Sequence, residues 1–416
     1  MSKMEVRSSE RSDDQPLRIG MVVPSNMKGG AQKIAAMAAC DLARAGHAVS
    51  IFVPVLPYSY YFVELRGEPL LWMRVAATYA SDWLRHRRFA FHEIVDPVKG
   101  RVRDESGGLL RVQWVARYVP QAELARLDYL VVFTIAQVAE YRDRFPQERQ
   151  VYHMLHTEER EHGHADILRG VRRNFRGKIV AISPFTSRLV QEDVPGVSVV
   201  PVAVSPLFWA QRRVFDVERT RYDLLFHHRA ARGGSEALEI VRALQRLRPQ
   251  TSLTIWCRDG GTEIAREFPD AAVIGECTEA ELCELYLQHS LLLFPSTFEG
   301  FGMPPVEASA CGCVPILQPH VGAAELYTRD GENSIHLGED AAVVAARIAE
   351  MLDDPKRLQV MRHAAAQGLE LFNPDGYGRR IFRAAGFIPD DGGSREGRVQ
   401  RDSERLVPTV RGSLDV

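Results

Sequence analysis

Residues 291–326 constrain this chain more than any other stretch. They read LLLFPSTFEGFGMPPVEASACGCVPILQPHVGAAEL. Residues 291–294 are an apolar run of strand length. Gly300 and Gly302 then break the periodicity inside a loop. Pro304 and Pro305 suit the first turn of a helix, where a missing N–H costs nothing. Glu307, Ala308 and Ala310 continue that helix, Gly312 ends it, and residues 314–317 read as the next strand. Strand, glycine loop, helix and strand make the parallel-sheet unit whose ligands sit at the carboxyl ends of the strands.

Two carboxylates frame the loop. Glu299 precedes the glycines and Glu307 follows inside the helix. The amides of Gly300, Phe301, Gly302 and Met303 can face an anion, helped by the positive end of the helix. A carboxylate about one turn into that helix can accept two hydrogen bonds from vicinal hydroxyls, which ribose and hexoses carry. Amide donors for phosphate beside carboxylate acceptors for sugar suit a nucleotide sugar better than a free nucleotide. The bland alternative is an ordinary βαβ turn with its glutamates in solvent.

The stretch resembles the glutamate-x7-glutamate signature of the family 4 retaining glycosyltransferases. That pattern is a strand ending in Pro-Ser, then Glu-Gly-Phe-Gly, a Pro, Glu-Ala, a small-residue pair and a later Gly-containing loop before Glu. Here it reads Pro295-Ser296, Glu299-Gly300-Phe301-Gly302, Pro304, Glu307-Ala308, Cys311-Gly312, Gly322 and Glu325. The resemblance implies an α/β chain of GT-B fold, two Rossmann-like domains facing an interdomain cleft.

The bulk properties agree with a chain of that kind. Its 416 residues suffice for two domains. A net charge of −2 leaves no global field for a polyanion. Cys40, Cys257, Cys277, Cys283, Cys311 and Cys313 form no C-x-x-C pair, and scattered thiols fit a reducing cytoplasm. Residues 1–17 are polar and lack the apolar core of a signal peptide. The most apolar helical candidate, residues 69–84, contains Arg74 and Asp82 and is short for a membrane span. The expected location is cytoplasmic. The basic run Arg85, His86, Arg87, Arg88 reads first as a solvated face and second as a peripheral contact with the inner face of a membrane.

Taken in order, residues 18–24 read as a first strand and Gly29-Gly30 as its turn. Residues 31–45 read as a small-residue helix and 49–53 as a second strand. No G-x-G-x-x-G is present, so a dinucleotide reading is weak. Residues 54–120 concentrate aromatics, among them Tyr58, Tyr60, Trp72 and Trp83, which read first as core and second as an acceptor-site lining. Residues 101–115 read as a hairpin turning at Ser106-Gly107-Gly108. Residues 128–134 and 150–155 are buried-type strands, the second ending at His156, with His153, His162 and His164 as rivals. Residues 158–175 and 136–145 read as helices, 178–182 and 197–202 as strands, and Ser183 as an N-cap. A linker then leads to a strand at 222–227 and the turn His228-Arg229-Ala230-Ala231-Arg232-Gly233-Gly234. Strands are expected at 252–257 and 272–275. Thr278 with Glu281 forms a capping box.

The resemblance assigns parts to these residues. Residues 18–205 would be an acceptor-side domain between a disordered 1–17 and a nucleotide-sugar domain at 206–373. Residues 374–388 would be a C-terminal helix crossing back, and 389–416 a disordered tail. Glu299, His156, Arg229 and Arg232 would form the catalytic set. Gly29, Gly30, Arg229, Arg232, Glu299, Gly300, Phe301, Gly302, Met303, Glu307 and Glu325 would bind the donor. The family usually places an Arg and a more distant Lys where Arg229 and Arg232 stand here. The partners implied are a nucleotide sugar and a hydroxyl acceptor, with no nucleic acid. No D-x-D element stands at the donor site, so neither a metal nor a cofactor is expected. The reaction implied is retaining sugar transfer from a nucleoside diphosphate sugar to a glycan, lipid-linked or natural-product hydroxyl. The alternatives are a non-catalytic nucleotide-sugar-binding partner of another transferase and a sugar-nucleotide epimerase.

Overall fold

A computed structural model describes residues 15–25, 30–55, 77, 80, 109–155, 165–213, 222–257, 261–338 and 340–389. Thirteen strands are present among these residues. The first seven are β1 (Arg18–Val22), β2 (Ala48–Pro54), β3 (Leu110–Val115), β4 (Tyr129–Val132), β5 (Gln150–Met154), β6 (Lys178–Ala181) and β7 (Ser198–Val199). They form one sheet in the order β3-β2-β1-β4-β5-β6-β7. The others are β8 (Tyr222–His228), β9 (Leu253–Cys257), β10 (Ala272–Ile274), β11 (His289–Phe294), β12 (Val314–Leu317) and β13 (Ile335–His336). Their order is β10-β9-β8-β11-β12-β13.

Both sheets share one wiring. The first strand lies centrally, the next two run outward on one side, and the fourth starts the other side. The pairings β1·β2, β1·β4, β8·β9 and β8·β11 are all parallel. This is the doubly wound Rossmann order, with its switch points between β1 and β4 and between β8 and β11. A parallel sheet covered on both faces needs strands apolar throughout. β11 and β12 are buried at every position.

The chain divides into two compact units. The first comprises the described parts of Met1–His153, Glu158–Val180 and Gly378–Asp390. The second comprises those of Met154–Thr157 and Ala181–Tyr377. In the first, the alanine-rich helix Gly30–Arg44 buries most of its length, including the carboxylate of Asp41. That carboxylate accepts from the Arg379 backbone N–H at 3.0 Å and from its guanidinium at 3.2 Å, which ties down the last helix, Tyr377–Ala384. Phe387, just beyond it, stacks on Tyr129 at 4.1 Å between ring centroids. In the second unit, the core runs through Leu224, Phe226, Leu291, Leu293, Val314 and Ile316 and is closed by helices Gly234–Leu247 and Ala341–Asp353.

Not every expectation falls on described residues. Residues 110–115 pair in parallel with β2, from Val49↔Leu110 to Pro54↔Val115, and the first arm and turn of the hairpin expected at 101–115 lie outside the described residues. The described part of the helix expected at 158–175 is Ala165–Arg173. The aromatics of residues 58–76, Tyr79 and the Arg85–Arg88 run also lie outside the described residues. Both expected capping residues form boxes, Ser183 with Thr186 and Thr278 with Glu281. A third box, Thr134 with Gln137, was not expected. No helix among the described residues is long and apolar enough to cross a membrane.

Asp41 is 3% exposed, and its removal leaves the Arg379 N–H and guanidinium without that acceptor. Asp41→Ala should lower stability by about 1–3 kcal/mol, read as a fall in the thermal midpoint, because a buried carboxylate and its hydrogen bonds to the half-buried Arg379 are lost together.

Candidate functional site

The carboxyl ends of β8 and β11 bring the predicted site residues together. His228 ends β8, and Arg229 to Gly233 follow as one tight turn with Gly233 at φ 85°. A side chain at Gly233 would put its Cβ 2.5 Å from the Pro295 carbonyl oxygen. Only glycine lets this turn lie directly on the loop that leaves β11. The second close approach is at Gly322, φ 64°, where a Cβ would come 2.2 Å from the Phe301 carbonyl oxygen. That carbonyl accepts from the Ala323 N–H at 2.9 Å. The loop from Pro295 to Gly302 is thus packed between two glycine turns.

Glu299 sits in this loop with its side chain 14% exposed. Its Oε2 lies 2.9 Å from Nη1 of Arg232 and its Oε1 3.6 Å from Nη1 of Arg229. Ser296 Oγ donates to Oε1 at 2.9 Å. Arg232 Nη1 also donates to the Phe298 carbonyl at 2.9 Å, so its guanidinium is fixed from two sides. Arg229 is more open, 48% exposed against 23% for Arg232. Glu299 and Gly302 line a concavity with Phe294, Ser296, Phe301 and Tyr327.

The remaining predicted residues are placed as follows. Gly302 precedes the helix Met303–Ala310, whose first turn holds the two prolines. Glu307 is 4% exposed and does not line that concavity; its charge is felt by Cys283 and Tyr286 on the helix Glu279–Gln288. Glu325 pairs with Arg188 at 2.6 Å. Gly30 begins the first long helix, in the other unit. Gly29, His156, His162 and His164 lie outside the described residues.

His153 is fully buried in β5, with Nδ1 3.2 Å from the Val180 carbonyl. Burial pushes its pKa down to about 4, partly offset by that hydrogen bond. As a neutral core residue it is no longer a rival for a site role. His228 also lies below its usual range, because burial outweighs the raising influence of Glu267. It is therefore neutral beside Arg229. His227 stacks between Trp256 at 4.2 Å and Phe294 at 5.3 Å. Among the described residues no cluster of three or more His, Cys, Asp or Glu could hold a metal ion.

Two contacts escaped the sequence reading. Ser183 Oγ donates to the Gly300 carbonyl at 2.6 Å, and Arg188 is the partner of Glu325. Each joins residues more than a hundred positions apart, so no local pattern marks it.

Part of this site, the loop that carries Glu299, falls in a segment that matches known proteins. Residues 269–368 match the family model of the glycosyl transferases group 1. The D-inositol 3-phosphate glycosyltransferase 1 of Catenulispora acidiphila is 37% identical over 92 residues, 22% of each chain. The glycogen synthase of Mycobacterium tuberculosis is 28% identical over 147 residues, 33% of this chain and 35% of that one. The chain thus spans about a fifth to a third of the length of these curated relatives. Solved structures extend the likeness across the chain. Anabaena HepE in complex with UDP and glucose superposes with a TM-score of 0.59 at 15% identity, over 89% of this chain and 99% of that one. The sucrose-phosphate synthase of Thermosynechococcus elongatus gives 0.57 at 14% identity, over 88% and 98%. The fold is GT-B. Two parallel-sheet α/β units are what these structures and this chain share.

The His153 burial carries a sign. The unfolded chain takes up a proton near pH 6.5 and the folded chain only near pH 4, so stability falls as pH drops through that window. Thermal midpoints should decline from pH 7 to pH 4.5, and His153→Asn should flatten that decline. An equally steep decline in the variant would remove His153 as its cause.

Proposed function

We propose that this chain is a retaining glycosyltransferase that moves a sugar from a nucleoside diphosphate sugar to an acceptor hydroxyl without a metal. The observation that carries the reading is the Glu299 carboxylate held beside Arg232 and Arg229 at the switch point of the second sheet. The match of the surrounding segment to a glycosyltransferase family supports it.

The chemical difficulty is the departure of a diphosphate while positive charge builds on the sugar. Arg229 and Arg232 would stabilise the charge growing on the leaving phosphate, as preorganised cations do in a partly dehydrated site. Arg232 is already held by Phe298 O, so it is oriented before any ligand arrives. These two guanidinium groups supply the positive charge that a divalent ion would otherwise bring, which supports a metal-independent reaction. Glu299 would accept from the sugar hydroxyls, and the Gly300 to Met303 amides would face the phosphate. Glu307 would bind the ribose, and Glu325 would support the donor loop. The leaving phosphate would itself take the acceptor proton on the face it vacates, which keeps the anomeric configuration. His156, Gly29 and Gly30 keep their family-implied parts near the reacting carbon and the donor. HepE was solved with UDP and glucose, which makes UDP-glucose the first donor to try.

Glu299→Ala should abolish sugar transfer, or donor hydrolysis when no acceptor is known, with the circular dichroism spectrum unchanged. Wild-type turnover would refute the role. Arg229→Ala and Arg232→Ala should each weaken UDP binding by about 1.5–3 kcal/mol, the range for a charged hydrogen bond. Calorimetry giving unchanged affinity for both would take them out of the site. Activity that vanishes in EDTA and returns with a divalent ion would overturn the metal-independent reading.

A further inference from the structure

The Phe298–Gly302 loop carries three carbonyls that are each held by a different neighbour. Phe298 O accepts from Arg232 Nη1 at 2.9 Å. Gly300 O accepts from Ser183 Oγ at 2.6 Å, and Phe301 O from the Ala323 N–H at 2.9 Å. A trans peptide unit is planar, so its C=O and the following N–H point in opposite directions. Fixing these carbonyls therefore fixes where the N–H groups of Glu299, Phe301 and Gly302 aim. Among the described residues no protein acceptor takes any of those three N–H groups.

Arg232 and Ala323 belong to the two glycine turns that flank the loop. Ser183 stands instead at the start of the short helix Pro184–Val190, 117 positions earlier in the chain than Gly300. The same helix touches the loop region twice more. Phe185 meets Phe298 edge to face at 5.5 Å, and Arg188 pairs with Glu325 at 2.6 Å. A serine needed only as an N-cap would accept from the helix amides, which Ser183 does by taking the Thr186 N–H at 3.1 Å. Its hydroxyl proton is spent elsewhere, on Gly300 O. The cap and the loop contact thus use different faculties of one hydroxyl.

We propose that Ser183 is a positioning residue for the donor's diphosphate. By holding the Gly300 carbonyl it aims the Phe301 N–H at a phosphate oxygen, and Arg188 with Glu325 keeps its helix seated on the loop. The inference rests on the nucleotide-sugar reading and names a residue that reading lacks.

The test separates the cap from the loop contact. Glycine is nearly as good an N-cap as serine but has no hydroxyl, whereas threonine keeps both functions. Calorimetry with UDP, and saturation-transfer NMR with uridine, are run on the wild type, Ser183→Gly and Ser183→Thr. The glycine variant should lose several-fold to about tenfold in UDP affinity, the size of one net hydrogen bond. Its uridine signal should be unchanged, and the threonine variant should regain most of the UDP affinity. Equal losses for uridine and UDP, or no loss in Ser183→Gly, would overturn the proposal while leaving the nucleotide-sugar reading standing. A wild type that binds no nucleoside diphosphate at all would sink both. Should the glycine variant unfold, Arg188→Ala and Glu325→Gln replace it, and the same selective loss of UDP over uridine is required of them.

Discussion

A carboxylate of low exposure held against two arginines is the contact on which the loops at the strand ends of the second sheet depend. Glu299, Arg232 and Arg229 come from two loops that leave adjacent strands. An ion pair this sheltered contributes less net stability than its geometry suggests, since both charges lose water to form it. Its effect is to fix positions. With Glu299 in place Arg232 cannot swing away, and with Arg232 in place the Phe298 carbonyl is pinned. A phosphate arriving here would meet cations already oriented, at the expense of displacing a carboxylate from them.

The two sheets share a strand order but use their switch points differently. In the first, buried Gln137 closes the gap: its amide donates to Val22 O at 2.7 Å, and its oxygen accepts from the N–H groups of Phe133 at 2.8 Å and Thr134 at 3.1 Å. Every one of those bonds is satisfied inside the protein, so the amide acts as a rivet between β1 and β4. In the second, the corresponding ends carry arginines, a glutamate and glycine turns, with loop amides left for something else. Identical wiring therefore carries different side chains at the two switch points: an amide bonded within the protein at the first, two arginines and a glutamate at the second.

The elements that were legible in advance were those set by local pattern. Short apolar runs between glycine turns gave β8, β11 and β12 to within a residue or two, and the box at Thr278 followed from residues three apart, as did the N-cap at Ser183 from its place before a proline. The parallel pairing of β3 with β2 left no local mark, because the partner lies far back in the chain. His153 was misread as a site candidate for a related reason: a histidine in a short cluster looks exposed until a sheet closes around it.

The sequence by itself marked the short apolar strands and the composition of the loop between β11 and the helix at Met303, because periodicity, prolines and glycines act over a few residues; two Rossmann-like domains were implied by the family resemblance of that loop. Only the tertiary structure decided which charges meet. Arg232 is 67 positions from Glu299 and Ser183 is 117 from Gly300, and nothing in the intervening residues encodes those distances. The first arises because the parallel strands β8 and β11 deliver their loops to the same edge of one sheet; the second joins a residue just after β6, a strand of the other sheet, to the loop after β11.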